Sequence, residues 1–384
     1  MQRRVPLVLL ALGALALVAT AAGITFLLRG HPREDEAAFP AAHVDALFAD
    51  VAILQADLPF GECRVTRDAG LLLNPLIGLD DGVHAAARPP WWAAASEGDL
   101  LRKGGSKWTD HVNDGPRGDL SITTALLSFD GWDSTSSGAG AAALASVGTP
   151  GVTPLTVGIP QVVGFQTLAR LRLLEGLRTG DMLRALQEVR HLALLVACEE
   201  SIVGQMVAVA ILRIEGDGYA AAVARGAIAR EAWTPLPEGT VERLKRVTFG
   251  LVGIYAGHAP PGSVERLEAV RGPIFGRCGA LSEAMGQWGL YRGFVGEPWP
   301  FEGDHTGVTE AIDRVLETTP CRLRAARAFW ADPEWATSMF TEDGEEAPWA
   351  RLPYFREYTL HTLMGIASVN YDQYGGEGEA WTGL

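Results

Sequence analysis

Lysine is nearly absent from this 384-residue chain: Lys103, Lys107 and Lys245 stand against 29 arginines among 32 cations. Together with abundant alanine, that bias points to a high-GC bacterial coding sequence. Asparagine is equally scarce. Asn74, Asn113 and Asn370 open no Asn-x-Ser/Thr acceptor, which argues against a glycosylated eukaryotic chain. Cations are outnumbered, and the formal charge of -14 excludes a nucleic-acid partner held through phosphates. Four cysteines are too few and too scattered for a disulfide scaffold or a zinc ribbon. The chain has no HExxH, CxxC, GxSxG, GxxxxGK[ST] or GxGxxG. Its eight histidines stand singly, so neither a metal nor a cofactor is expected. Absent local motifs disfavour an enzyme without eliminating one, because distant segments can assemble a site.

What is present is the composition of a folded protein, 48% hydrophobic and 20% charged, with one long apolar run. Residues 1–4 read MQRR, a short cytoplasmic segment, and residues 5–28 carry no charge. Helical, that run spans about 36 Å, against about 30 Å for a hydrocarbon core. Arg3, Arg4 and the terminal amine favour the cytoplasmic side, and Glu34, Asp35 and Glu36 follow the run. The expected topology is a single-pass anchor in the bacterial inner membrane, amino terminus in, ectodomain outside, with the bilayer as partner through residues 5–28. A cleaved signal peptide competes, with Ala19-Thr20-Ala21 as its cleavage pattern and secretion to the periplasm as its outcome. Cleavage would leave the apolar stub Ile24 to Leu28 at the mature start, which favours the anchor. No later run resembles a span. Leu192 to Ile214, interrupted by Glu199, Glu200 and Gln205, reads as two core helices meeting at a turn.

Residues 29–39 form a charged stalk. A helix over 40–58 places Val44, Leu47, Phe48, Val51 and Leu54 on one face. The rest of 40–160 reads as irregular structure with a short helix near 119–129, and residues 134–160 suggest a boundary. A helical domain, 161–384, follows. Helices are predicted over 163–178, over 181–198 with Asp181 as cap, from Ser201 to Ile214, and from Tyr219 to Glu231 after a restart at Gly216-Asp217. Others are expected over 237–256, 262–290, 306–316, 321–330 and 354–369. The expected fold is all-α, with irregular loops. Gly180-Asp181 and Gly216-Asp217 lie 36 residues apart, with Ala185 matching Ala221 at the same offset. Over residues 163–230 this resembles tetratricopeptide-like helical hairpins, which implies stacked helix pairs.

Candidate chemistry is sparse. Glu199 and Glu200 are flanked by LALLVAC and IVGQMVAVAIL, and burial there would raise a carboxylate's pKa toward general-acid use. The plainer alternative is an exposed turn near the positive start of the next helix. His305, beside Glu302 and Asp304, could serve an acid/base pair, or simply follow a helix cap. Asp110 to Asp114 is rich in ligand atoms, but Val112 breaks calcium-loop spacing. Trp91, Trp92 and Trp299 could stack on sugar rings, although tryptophans more commonly anchor loops to cores. Cys198 reads as an inert buried hydrophobe and Cys63 belongs to a distant irregular segment; Cys278 and Cys321 are candidates for a bridge, with four free thiols as the alternative. The function expected is a binding or scaffold ectodomain with a protein or glycan partner. The alternative is a membrane-tethered hydrolase or glycan-processing enzyme, which convergence of Glu199, Glu200, His191 and His305 in one pocket would favour.

Overall fold

The computed structural model describes residues 41–57, 63, 65–77, 105–113, 115, 117–145, 164–256, 259–295, 313–331, 341–342 and 345–346. All lie within one unit, 40–384. The proposed anchor 5–28, stalk 29–39, Trp91, Trp92, Trp299, His305 and the helix at 354–369 lie outside the described residues. No described helix is long and apolar enough to cross a membrane.

The architecture is all-α. In chain order the helices are α1 (Ala41–Asp57), α2 (Gly70–Leu73), α3 (Ser121–Leu126), α4 (Gly138–Ala145), α5 (Gly164–Thr179), α6 (Met182–Ala197), α7 (Ile202–Ala224), α8 (Thr240–Tyr255), α9 (Ser263–Glu268) and α10 (Arg277–Val295). A helix over 313–318 (α11) and Arg324–Ala331 (α12) complete the α-helices among the described residues. Thr341–Glu342 and Glu345–Glu346 pair as a two-residue antiparallel ladder.

Helix α7 is the axis. It packs on α5, α6, α8 and α10, while α1 packs on α8 and α12 on α10. Apolar residues therefore recur around much of α7, as a helix covered on several sides requires. Val207, Ala208, Ile211, Leu212 and Ile214 are all buried. On α1, Val44, Leu47, Val51 and Leu54 are buried, and Phe48 instead lies under the Arg266 guanidinium, 4.1 Å from the ring centroid.

Three sequence expectations are corrected. The helix starting at Ser201 does not stop at Ile214 and restart after Gly216-Asp217; it continues to Ala224. Continuation is favoured because Arg213, one turn back, and Arg170 across the interface both draw on the Asp217 carboxylate, which partial burial pushes above its usual range. Gly218 lets α7 approach α5, since a Cβ there would lie 2.9 Å from a Leu173 methyl. The stacked-pair period thus fails after one hairpin, α5–α6. Asp181 sits at the N-cap position of α6 without capping it, and pairs instead with Arg172 at 3.1 Å. The expected helix over 262–290 is two helices. Gly272 (φ 92°), Pro273 and Gly276 (φ 85°) break it, because left-handed backbone and a missing amide donor cannot continue a helix.

Irregular segments are stitched by specific bonds. The Asp130 carboxylate accepts from the backbone N–H groups of Thr66 and Arg67, each at 2.8 Å. Buried Trp132 donates to Asn74 Oδ1 at 2.8 Å and meets Phe165 edge-to-face at 5.3 Å. Trp108 is also buried, so both described tryptophans of this region serve the core.

Candidate functional site

Of the four consecutive residues between α6 and α7, three tie the turn to distant parts of the chain and the fourth caps α7. Cys198 is joined to Cys63 by a disulfide, with Cα atoms 5.2 Å apart. Glu199 accepts from the backbone N–H and hydroxyl of Ser134, at 3.0 and 2.8 Å. Glu200 accepts from the backbone N–H of Arg322 at 2.7 Å and from that of Leu323. Ser201 caps α7 by accepting the Gly204 N–H at 3.0 Å. Its cap role follows from its side-chain type; the others required the fold.

Cys198 is therefore not an inert thiol: burial is right for it, isolation is not. A second disulfide joins Cys278 on α10 to Cys321, with Cα atoms 5.5 Å apart, and no free cysteine remains. One Glu200 oxygen lies within 4.8 Å of both of these sulfurs. Bridged sulfurs have no thiolate to offer a cation, so that trio is not a metal centre in this state.

The expected exposed turn is instead half-buried and fully engaged. Leu323 has φ 50°, the left-handed region that a branched side chain rarely enters, and it is buried. That conformation turns two successive N–H groups toward Glu200, forming a small anion nest. The carboxylate and the burial of Leu323 oppose a strain of about 1–3 kcal/mol.

Glu199, Glu200 and Asp133 line one cavity of about 110 Å³ with Arg322 and Arg324; Ser282 adds a hydroxyl from α10. Asp133 Oδ2 lies 3.3 Å from Arg322 Nη1 and 3.4 Å from Arg324 Nη1. Arg322 also reaches the Cys198 carbonyl at 3.3 Å. Burial raises the Glu199 carboxyl to about 7; the two Ser134 bonds oppose the rise, nearby Asp133 adds to it and Arg322 counters it. Near neutrality it can therefore hold or release a proton.

Of the residues expected to converge, the structure brings Glu199 and Glu200 together. His191 is elsewhere, its Nε2 3.0 Å from the carbonyls of Leu126 and Phe129. A proton on Nε2 lets that ring close the end of α3. Asp110 is an exposed surface carboxylate 4.0 Å from Arg225. Sequence reading missed Asp133, Ser134, Arg322 and Arg324, for which no local motif exists; Asp133 lies in a Ser/Thr-rich turn, the single available signal.

A second carboxylate cluster lies along α6. Glu188, 1% exposed, accepts from Arg172 Nε (2.6 Å), Arg184 Nε (2.9 Å), Thr123 Oγ1 (2.6 Å) and Thr124 Oγ1 (2.7 Å). Burial pushes its pKa up, but the threonine and arginine bonds outweigh it and the net direction is down. This group is locked ionised and has no lone pair free for chemistry.

Comparison with protein-family models, curated proteins and solved structures finds no match to this chain.

Proposed function

We propose that the chain is a single-pass bacterial inner-membrane protein, anchored by residues 5–28, whose disulfide-stapled all-α ectodomain acts as a binding or scaffold module. The observation that carries the reading is the pairing of all four cysteines in two bridges spanning 135 and 43 residues. Such bonds persist in oxidising compartments and not against cytosolic thiols. The uncharged run 5–28 and the positive-inside arrangement of Arg3 and Arg4 supply the route there. A scaffold role is supported by the way Glu199 and Glu200 bind backbone groups of other segments, in a cavity well below the ~300–1,000 Å³ usual for ligand sites.

Fractionation tests the topology. The protein should stay in the membrane pellet after alkaline carbonate washing, and a periplasmic reporter fused after Leu384 should be active. A soluble periplasmic chain beginning at Ala22 would favour the secreted alternative instead.

One observation favours a hydrolase as the second reading: the Glu199 carboxyl, raised to about 7, shares its cavity with the carboxylates of Asp133 and Glu200, so a proton donor there has carboxylate neighbours. Release of reducing ends from cell-wall glycan, lost in both Glu199→Gln and Asp133→Asn, would favour that class over a scaffold.

A further inference from the structure

Of the two disulfides, one stands beside an acid. A carboxylate oxygen of Glu200 and the sulfurs of Cys278 and Cys321 lie within 4.8 Å of one another. The Cys63–Cys198 bridge has no such third group among the described residues. Three pieces of chain meet at the trio: the α6–α7 turn brings Glu200, the first turn of α10 brings Cys278, and Cys321 precedes α12. Each is held by more than the bridge. Glu200 accepts from the N–H groups of Arg322 and Leu323, and Leu323 is itself buried. On α10, Ala280, Leu281, Ala284 and Met285 are buried, which fixes the helix that carries Cys278. Opening the bridge therefore leaves both sulfurs beside the carboxylate.

A dithiol reductant opens it with two electrons. A reductant thiolate attacks the sulfur of Cys278, the more exposed member of the pair, and displaces Cys321 as a thiolate. The second reductant thiolate then attacks its own sulfur in the mixed disulfide, releases Cys278 and leaves as the oxidised disulfide. Two thiolates and one carboxylate now face each other. Thiolate sulfur selects a soft or borderline cation over calcium and magnesium, which take oxygen ligands. Ligand atoms around a tetrahedral zinc lie about 3.6–3.8 Å apart, so the trio needs the two sulfurs to part and little else to move. Glu200 keeps its two N–H donors, because an ionised carboxylate has about four acceptor sites, and those donors orient it. Cys278 is the second residue of α10, where the positive helix end favours negative charge. Arg322 Nε, 3.6 Å from Glu200, meets the single negative charge that remains once a divalent ion has bound.

We infer that Cys278, Cys321 and Glu200 form a redox-gated site for one zinc-class divalent cation, blocked while the bridge is closed and created when a dithiol opens it. The cavity of about 110 Å³ lined by Glu200 and by Ser282, one turn beyond Cys278, supplies a water as fourth ligand. The ion takes over the staple, holding the 321–323 segment to α10 and to the α6–α7 turn after the covalent link is gone. This inference rests on the Cys278–Cys321 pairing used above, and on neither the anchor nor the scaffold role.

The test uses full-length protein in detergent, reduced anaerobically with a phosphine that is then removed, and Cd²⁺ as probe. One cadmium per chain is expected, with an ultraviolet charge-transfer band of two thiolates that Zn²⁺ displaces. Cys278→Ser with Cys321→Ser should abolish it, and Cys63→Ser with Cys198→Ser should retain it. Glu200→Gln should weaken binding at least about tenfold, since even an outer-shell partner is worth about 10–100-fold. Circular dichroism checks that each variant folds. A reading without variants comes from the reduced parent chain: Zn²⁺ should protect Cys278 and Cys321 from alkylation while Cys63 and Cys198 stay as reactive as before, by peptide mapping. No binding after reduction overturns the proposal. So does protection shared equally by all four cysteines, or an affinity that folded Glu200→Gln leaves unaltered. Binding before any reduction would overturn the redox gate, and with it the closed bridge on which the compartment reading rests.

Discussion

Glu188 and Glu199 lie eleven residues apart, one inside α6 and one just past its end, and their carboxylates behave oppositely. Desolvation pushes both upward, yet the Glu188 pKa is lowered, because two guanidinium groups and two hydroxyls face it. Glu199 receives one serine and stands near the negative charge of Asp133, and its pKa rises to about 7. Burial alone therefore does not decide the charge state; the inventory of donors around each oxygen does. The first carboxylate holds three helices together as a fixed ion. The second, with Glu200 beside it, joins segments 131–137 and 321–326 to the turn while staying close to a proton equilibrium.

The comparison can be broken most forcefully at Glu188. Glu188→Ala leaves Arg172 buried without its carboxylate, and a loss of about 3–5 kcal/mol is expected by denaturant titration. Next in size is the covalent link. Cys63→Ser with Cys198→Ser should cost about 2–5 kcal/mol, the range for a native bridge closing a long loop. Glu200→Gln comes third. Weakening two charge-assisted bonds to the Leu323 nest should lower stability by about 1.5–3 kcal/mol. It should also raise hydrogen exchange at Arg322 and Leu323.

The smallest effect sharpens the contrast. A carboxyl whose folded pKa lies above its unfolded value binds more protons folded than unfolded. Its favourable contribution is thus present below about 4.5 and is lost as pH rises through about 7. Glu199→Gln should flatten a decline of at most about 1.4 kcal/mol per pH unit across that window. At pH 8 the variant should be no less stable than the parent chain. Glu188, with its pKa lowered, runs the other way: its contribution is held above about 4.5 and disappears on further acidification. A Glu199→Gln variant that loses stability at pH 8 would mean that its carboxylate is better paired than the Ser134 contacts imply.

Helices with a one-sided pattern were legible in the sequence. Val44, Leu47, Val51 and Leu54 announce α1, and Ser201 announces the start of α7. The all-α class follows from the same periodicity. Other features were hidden for physical reasons. Gly216-Asp217 looks like a turn because both residues favour turns; of the two charges that support α7 there, Arg213 lies one turn back on the same helix, but Arg170 comes from α5, 47 residues away. Two glycines and a proline within 270–276 do signal a break, and reading through them produced one helix where two exist. The acidic site was half legible. Glu199 and Glu200 stood out against apolar flanks, whereas Asp133, Arg322 and Arg324 enter from regions 66 to 125 residues distant from them. Cys198 was legible as buried, but nothing local indicates that Cys63 reaches it.

The account depends most on the turn at 198–201 being covalently closed in an oxidising compartment. Non-reducing peptide mapping of protein taken from bacterial membranes, alkylated at lysis, reads this directly. Two linked peptide pairs are predicted, one joining Cys63 to Cys198 and the other Cys278 to Cys321. Alkylation of all four thiols without reductant would contradict both the pairing and the compartment.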